Sequence, residues 1–190
     1  LENVSKYFKQ RDKQKLLVID DLNLSIYPGE VVALVGKSGS GKSTMLRIMS
    51  GLIPPNAGRV LWHDQEVTAP FQGLSMVFQD FALLPWLTVL QNVELGLEAL
   101  GMERKKRREK ALEAIDMVGM DGFESAYPKE LSGGMCQRVG LARALVVDPE
   151  IMLMDEPFSA LDVLTADNLR SDLLSLWQSK KTNLQSILLV

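Results

Sequence analysis

Eight residues constrain this chain more than any others: Gly36-Lys37-Ser38-Gly39-Ser40-Gly41-Lys42-Ser43 matches the pattern G-x-x-x-x-G-K-[ST] without departure. The apolar run Val31-Val32-Ala33-Leu34-Val35 precedes it and reads as a strand buried on both faces of a parallel sheet. Behind it, Met45, Leu46, Ile48 and Met49 recur at helical spacing between Ser43 and Ser50, and Gly51 with Pro54-Pro55 stops the pattern. Strand, glycine-rich turn and helix in that order form a cradle for phosphate. The glycines let backbone N–H groups turn inward, and the helix N-terminus adds partial positive charge. Lys42 supplies a mobile cation for the β- and γ-phosphates, and the Ser43 hydroxyl is a ligand for Mg²⁺.

A second buried strand is expected at Ile151-Met152-Leu153-Met154, ending on Asp155-Glu156. With the loop upstream, Asp155 fits the role of holding Mg²⁺ through water, and Glu156 is the candidate general base for an attacking water. The remaining elements follow from local pattern. Leu16–Ile19 and Leu22–Ile26 have strand character, Pro28-Gly29 marks a turn, and Met76-Val77-Phe78 reads as a short strand before Gln79. From Thr88 the pattern becomes helical, with Thr88 capping, Gln91 three residues on, and Val89, Val93 and Leu97 on one face. Residues 103–110 are a charge run, either a solvated helix face or a patch for RNA or lipid, and helical periodicity resumes through Ala111, Leu112, Ile115 and Val118. After Ser132-Gly133-Gly134 a helix carries Val139, Leu141, Ala142, Leu145 and Val146 as far as Asp148-Pro149. The order is strand-loop-helix, then helices, then strand-helix-strand, which is an α/β core interrupted by a helical insertion.

Composition excludes more than it selects. With 190 residues the chain is sized for one domain, and a net charge of -3 gives no global sign of a nucleic-acid partner. The lone Cys136 forms no internal disulfide and fits a reducing compartment, and the lone His63, near a turn, leaves no His-rich metal site. No apolar run reaches the roughly 18 residues that span a bilayer, and no secretory signal opens the chain.

Four further segments carry a family resemblance. Leu131-Ser132-Gly133-Gly134-Met135-Cys136-Gln137-Arg138 resembles the signature motif of ABC-type ATPases, and Phe158-Ser159-Ala160-Leu161-Asp162 resembles the D-loop that follows their catalytic glutamate. Gln79 matches the Q-loop, and Phe8, with Tyr7 as the competing candidate, sits where the family's adenine-stacking aromatic is expected. The resemblance spans the chain in the family's order. It implies a P-loop NTPase of the α/β class: a RecA-like core, an N-terminal antiparallel β-subdomain and a helical insertion at residues 82–135, within one ATPase domain of residues 1–190. It also implies ATP and Mg²⁺, with Thr44, Asp162 and the signature Ser132, Gly133 and Gly134 joining the loop residues in binding. Ser43, Gln79 and Asp155 attend the metal, and Gln79 and Glu156 the catalysis.

The implied assembly is a head-to-tail dimer in which the signature of one copy faces the γ-phosphate held by the other. Phe81-Ala82-Leu83-Leu84-Pro85-Trp86-Leu87-Thr88-Val89 resembles the segment after the Q-loop in nitrate, sulfonate, taurine and bicarbonate importer ATPases, and Met135, Phe123-Glu124 and Tyr127-Pro128 agree. In such importers Leu84, Pro85 and Trp86 would line the groove for a membrane subunit, although the same stretch also reads as internal core of the insertion. The implied partners are a second copy, two permease subunits and a separate solute-binding protein, with no nucleic acid. The place is the cytoplasmic face of the membrane, peripherally. A soluble ABC-type ATPase of DNA repair or translation is the alternative, and a non-hydrolysing nucleotide-binding module is a third. Because the chain begins at Leu1 and stops on Ile187-Leu188-Leu189-Val190, both ends are expected to be cut, with the family's switch histidine beyond Val190. The expectation is a chain that binds nucleotide and hydrolyses it slowly or not at all.

Overall fold

The computed structural model describes residues 1–9, 14–159, 161–179 and 182–190. Its centre is the run Ile151–Met154, which forms strand β8 with every residue buried. β8 lies in a four-stranded sheet of order β3-β9-β8-β7, with β3 at Val31–Ala33, β7 at Leu74–Val77 and β9 at Ser186–Leu189. All three pairings are parallel, in the registers Val32↔Leu188, Met152↔Ile187 and Val77↔Met154. Successive side chains of a strand point to opposite faces. Ile151 and Leu153 therefore join the cluster on one side, with Met45, Leu46 and Ile48, while Met152 and Met154 join the cluster on the other.

The first side is covered by helix α1 (Lys42–Met49) and by an antiparallel sheet of order β2-β1-β4, made from β1 (Glu2–Lys9), β2 (Lys15–Leu22) and β4 (Ala57–Arg59). Val4 and Ile19 bring that sheet into the core, joined by Val60 just after β4. A two-stranded ribbon of β5 (Leu61–Trp62) and β6 (Gln65–Glu66) follows. The second side is helical: α2 (Val89–Ala99), α3 (Arg104–Met117), α4 (Gly133–Leu145) and α5 (Val163–Gln178). α2 buries Val89, Leu90, Val93 and Leu97, each worth about 1.5–3 kcal/mol when removed from water. Thr88 caps α2 through a full capping box with Gln91, as its spacing predicts.

Three expectations need correcting. The run from Val31 is not buried on both faces: among the described residues β3 pairs only with β9, and Val31 is 39% exposed. The stretch after Leu22 is not a strand, because β2 ends there and residues 23–27 run irregularly into the turn at Pro28-Gly29. Leu112 is exposed, because the face α3 turns inward is Ala111, Ala114, Ile115 and Val118. The charge run forms the first two turns of α3 with Arg104, Lys105, Lys106 and Arg108 exposed, as for a solvated face. No helix among the described residues is long and apolar enough to cross a membrane.

Candidate functional site

Parallel strands of one sheet end on the same side, and ligands of such sheets bind beyond those carboxyl ends. Here β3 runs out into Gly36–Ser43, β7 into Gln79 and β8 into Asp155-Glu156. The three candidate segments converge for that topological reason, although more than a hundred residues separate the first from the last. A cleft of about 370 Å³ opens there, lined by Gly36, Lys42, Glu156, Pro157 and Ser159 among others.

The loop carries the backbone its glycines permit. Gly39 has φ +79° and Gly41 φ +93°, a region costly for residues with a Cβ. Gly41 is also crowded, since a Cβ there would lie 2.9 Å from the Val18 carbonyl oxygen of β2. Gly41 is the N-cap of α1 and offers no side-chain cap, so no cap side chain occupies the first-turn amides, as an anion cradle requires. The Lys42 ammonium donates to the carbonyls of Gly36 at 3.0 Å and Lys37 at 3.2 Å, folding over the loop whose phosphates it would meet. Lys37, Ser38, Ser40 and Thr44 complete this turn and the start of α1, with the Ser40 amide donating to the Lys37 carbonyl.

Two side-chain pairs join the segments. The Ser43 hydroxyl donates to Asp155 Oδ1 at 2.7 Å, and Asp155 is buried. That hydroxyl and carboxylate offer the oxygen donors that suit a hard divalent cation. Gln79 Nε2 donates to Glu156 Oε2 at 3.0 Å. Glu156 itself sits at φ +46°, a left-handed conformation that costs a non-glycine residue about 1–3 kcal/mol and recurs at functional sites. Its amide donates to the Val190 carbonyl, and its carbonyl accepts from the Ser159 hydroxyl, which holds the strained residue in place.

Other candidates lie elsewhere in the chain. Ser132 caps α4, its hydroxyl accepting from the Met135 amide. Gly133 and Gly134 pack against the start of α5: a Cβ on Gly134 would lie 2.8 Å from Thr165 Cγ2. Asp162 is the N-cap of α5, and hydrogen bonds with Thr165 hold its carboxyl below the ordinary carboxylate range. None of these residues lines the cleft of Gly36 and Glu156. Ala160 of the D-loop segment lies outside the described residues. Phe8, in β1, is also outside the cleft lining, half-exposed with the Lys6 ammonium 5.4 Å from its ring, while Tyr7 meets Lys15 at 4.4 Å. Trp86 is 67% exposed, so the Leu84-Pro85-Trp86 tip is not internal core. Burial pushes the Cys136 thiol above its ordinary pKa, which leaves it a poor nucleophile near neutrality.

Sequence patterns passed over two polar side chains that shape the segment after Gln79. Asn92 is fully buried in α2. It accepts from the Leu84 amide and donates to the carbonyls of Leu84, Leu87 and Thr88, bracing the chain on either side of Trp86. Its signal was present, as an amide beside the apolar stripe of Val89 and Val93. Arg143, on α4, donates to the carbonyls of Phe81 and Ala82. Nothing local to Arg143 announces that role.

The ABC transporter family model matches residues 19–159. An uncharacterized ABC transporter ATP-binding protein of Methanocaldococcus jannaschii is 48% identical over 95% of this chain and 67% of its own length. A nitrate import ATP-binding protein of Synechocystis is 47% identical over 86% of the chain and 61% of its own length. A glycine betaine transport ATP-binding protein of Bacillus subtilis is also 47% identical, over 83% of the chain and 40% of its own length. The chain spans about two thirds of the length of the first two. Among solved structures, a dimeric ATP-binding cassette in a post-hydrolysis state with ADP and Pi superposes at TM-score 0.87, with 35% identity over 100% of this chain and 85% of that one.

Proposed function

The chain belongs to the ABC transporter family, and on that footing we propose that it is the ATP-binding and ATP-hydrolysing subunit of an importer. The observation that carries the reading is the meeting, at one end of the sheet, of the Ser43–Asp155 bond and the Gln79–Glu156 bond beside Lys42. Gly36 to Thr44 wrap a triphosphate, their amides and the Lys42 ammonium facing its oxygens. A Mg²⁺ bound by Ser43, Asp155 and Gln79 would neutralise charge on the β- and γ-phosphates. Glu156 orients a water and takes its proton, and Gln79, already hydrogen-bonded to Glu156, marks where that water lies. Phe8 stacks on adenine. Ser132, Gly133, Gly134 and Asp162 serve a site on a second copy, which accounts for their distance from the chain's own cleft.

The partners we propose are that second copy, two permease subunits and a separate solute-binding protein, with the chain on the cytoplasmic face of the membrane. The exposed Trp86 supports docking at the 84–86 tip. Residues 82–135 form the helical subdomain of a single ATPase domain. For the solute, the resemblance favours a small anion such as nitrate, sulfonate or taurine, and a separate binding protein makes the final choice.

The test is Glu156→Gln. It removes the base and keeps the side-chain shape, so nucleotide affinity stays within about twofold while turnover falls by about a hundredfold or more. Equal turnover in variant and parent, measured as phosphate release, would remove Glu156 from the mechanism.

A further inference from the structure

Gln79 meets Glu156 where β7 and β8 end side by side, and two residues further on the chain turns sharply. The turn is made by consecutive residues in the left-handed region, Phe81 at φ +57° and Ala82 at φ +47°. Neither is a glycine or an asparagine, so neither favours that conformation by itself. Two such residues in succession persist only where the surroundings hold them.

The holding group is Arg143. Its Nη1 donates to the Ala82 carbonyl at 2.6 Å and its Nη2 to the Phe81 carbonyl at 2.5 Å, so one planar fork grips both strained residues. Among the described residues Arg143 has no carboxylate partner. Burial lowers its pKa below the ordinary guanidinium value, so the two carbonyls are what compensate its desolvation. Gly140, one turn earlier on the same side of α4, completes the grip: a Cβ there would lie 3.7 Å from both the Cβ and the carbonyl oxygen of Phe81. α4 is also the helix that begins at Ser132, Gly133 and Gly134.

We propose that Arg143 is a positioning residue for hydrolysis: by clamping the Phe81 and Ala82 carbonyls to α4, it sets Gln79 against Glu156 and makes the signature helix and the Gln79 segment move as one piece. The inference rests on the roles given above to Gln79 and Glu156. It separates two ways in which the same loop is held. Asn92 fixes the side near Trp86 to α2, whereas Arg143 fixes the side near the catalytic pair to α4. Lysine is no substitute, because one ammonium cannot hold two neighbouring carbonyls in the plane of a fork.

The experiment is a double-mutant cycle on the protein with Arg143→Met and Gln79→Ala, reading kcat and fluorescent-ATP affinity. Arg143→Met is expected to lower kcat about tenfold with affinity within about twofold, since displacing a positioned group costs rate rather than binding. In the Gln79→Ala background the same change should cost less than about twofold more, because both act through one group. Ala82→Gly, which adopts positive φ without cost, should return about half of the turnover lost in Arg143→Met. Unchanged kcat, additive losses in the cycle, or no rescue by Ala82→Gly would each overturn the proposal. Should Arg143→Met not fold, Arg143→Lys is judged by the same criteria. A parent without turnover would take kcat out of the comparison. The clamp would then stand or fall on hydrogen exchange at the amides of residues 79–83, expected to quicken in Arg143→Lys and overturning the clamp if unchanged.

Discussion

At the residue scale, the loop separates two reasons for a glycine. Gly39 and Gly41 both have positive φ, but nothing lies within 4 Å of a Cβ built on Gly39, whereas one on Gly41 would meet the Val18 carbonyl and its side chain. Gly39→Ala should therefore cost only the backbone strain, about 1 kcal/mol, while Gly41→Ala adds a clash with β2 and should cost about 2–4 kcal/mol. Urea denaturation of the two variants checks the difference. Nucleotide affinity should fall further for Gly41→Ala, by about tenfold, because residue 41 opens α1 and aims its amides. The motif requires glycine at 41 and leaves 39 open, without a physical reason for the distinction. Their difference comes from β2, which the motif does not contain.

At the element scale, helix ends were legible and helix surroundings were not. Thr88 with Gln91, and Ser132 before Gly133, announce α2 and α4 because a cap is a bond between residues three apart. The status of β3 was illegible for the opposite reason, since a strand's neighbours are set by hydrogen bonds to distant segments. Asn92 belongs here too. Losing its side chain strands the Leu84 amide and the Leu87 carbonyl, at about 1–3 kcal/mol each, while the carbonyls of Leu84 and Thr88 still accept from the backbone amides of Leu87 and Asn92. Asn92→Ala should lower stability by about 2–4 kcal/mol in urea denaturation and make the Leu84 amide exchange faster. An effect below about 0.5 kcal/mol would mean that the loop around Trp86 keeps its shape without the amide.

At the scale of the whole molecule, the candidate residues form two groups. Lys42, Ser43, Gln79, Asp155 and Glu156 share the carboxyl ends of the sheet, while Ser132, Gly133, Gly134 and Asp162 gather where α4 meets α5. A composite site between two copies reconciles them, and Ser132→Asp tests it. Aspartate caps a helix as well as serine does, so α4 is preserved, yet a carboxylate is placed where the partner's γ-phosphate should lie. In the Glu156→Gln background, MgATP should drive dimer formation in light scattering, and adding Ser132→Asp should leave a monomer that still binds ATP. A dimer of undiminished stability would refute the head-to-tail arrangement.

Some of this protein is determined by its sequence alone: the phosphate loop between strand and helix, the buried run ending in Asp155-Glu156, the capped starts of α2 and α4, and the family. The first three are each written within a short run of neighbouring residues, where spacing, capping and glycine stereochemistry act directly, and the family is written in the order of several such runs along the chain. Only the tertiary structure decided that Gln79 reaches Glu156, that Gly134 must admit Thr165, that Asn92 braces the Trp86 loop and that Arg143 clamps the turn after Gln79. Those contacts join residues brought together by parallel strands ending on one side and by helices packed over them, and no local pattern encodes which distant carbonyl a buried side chain will find.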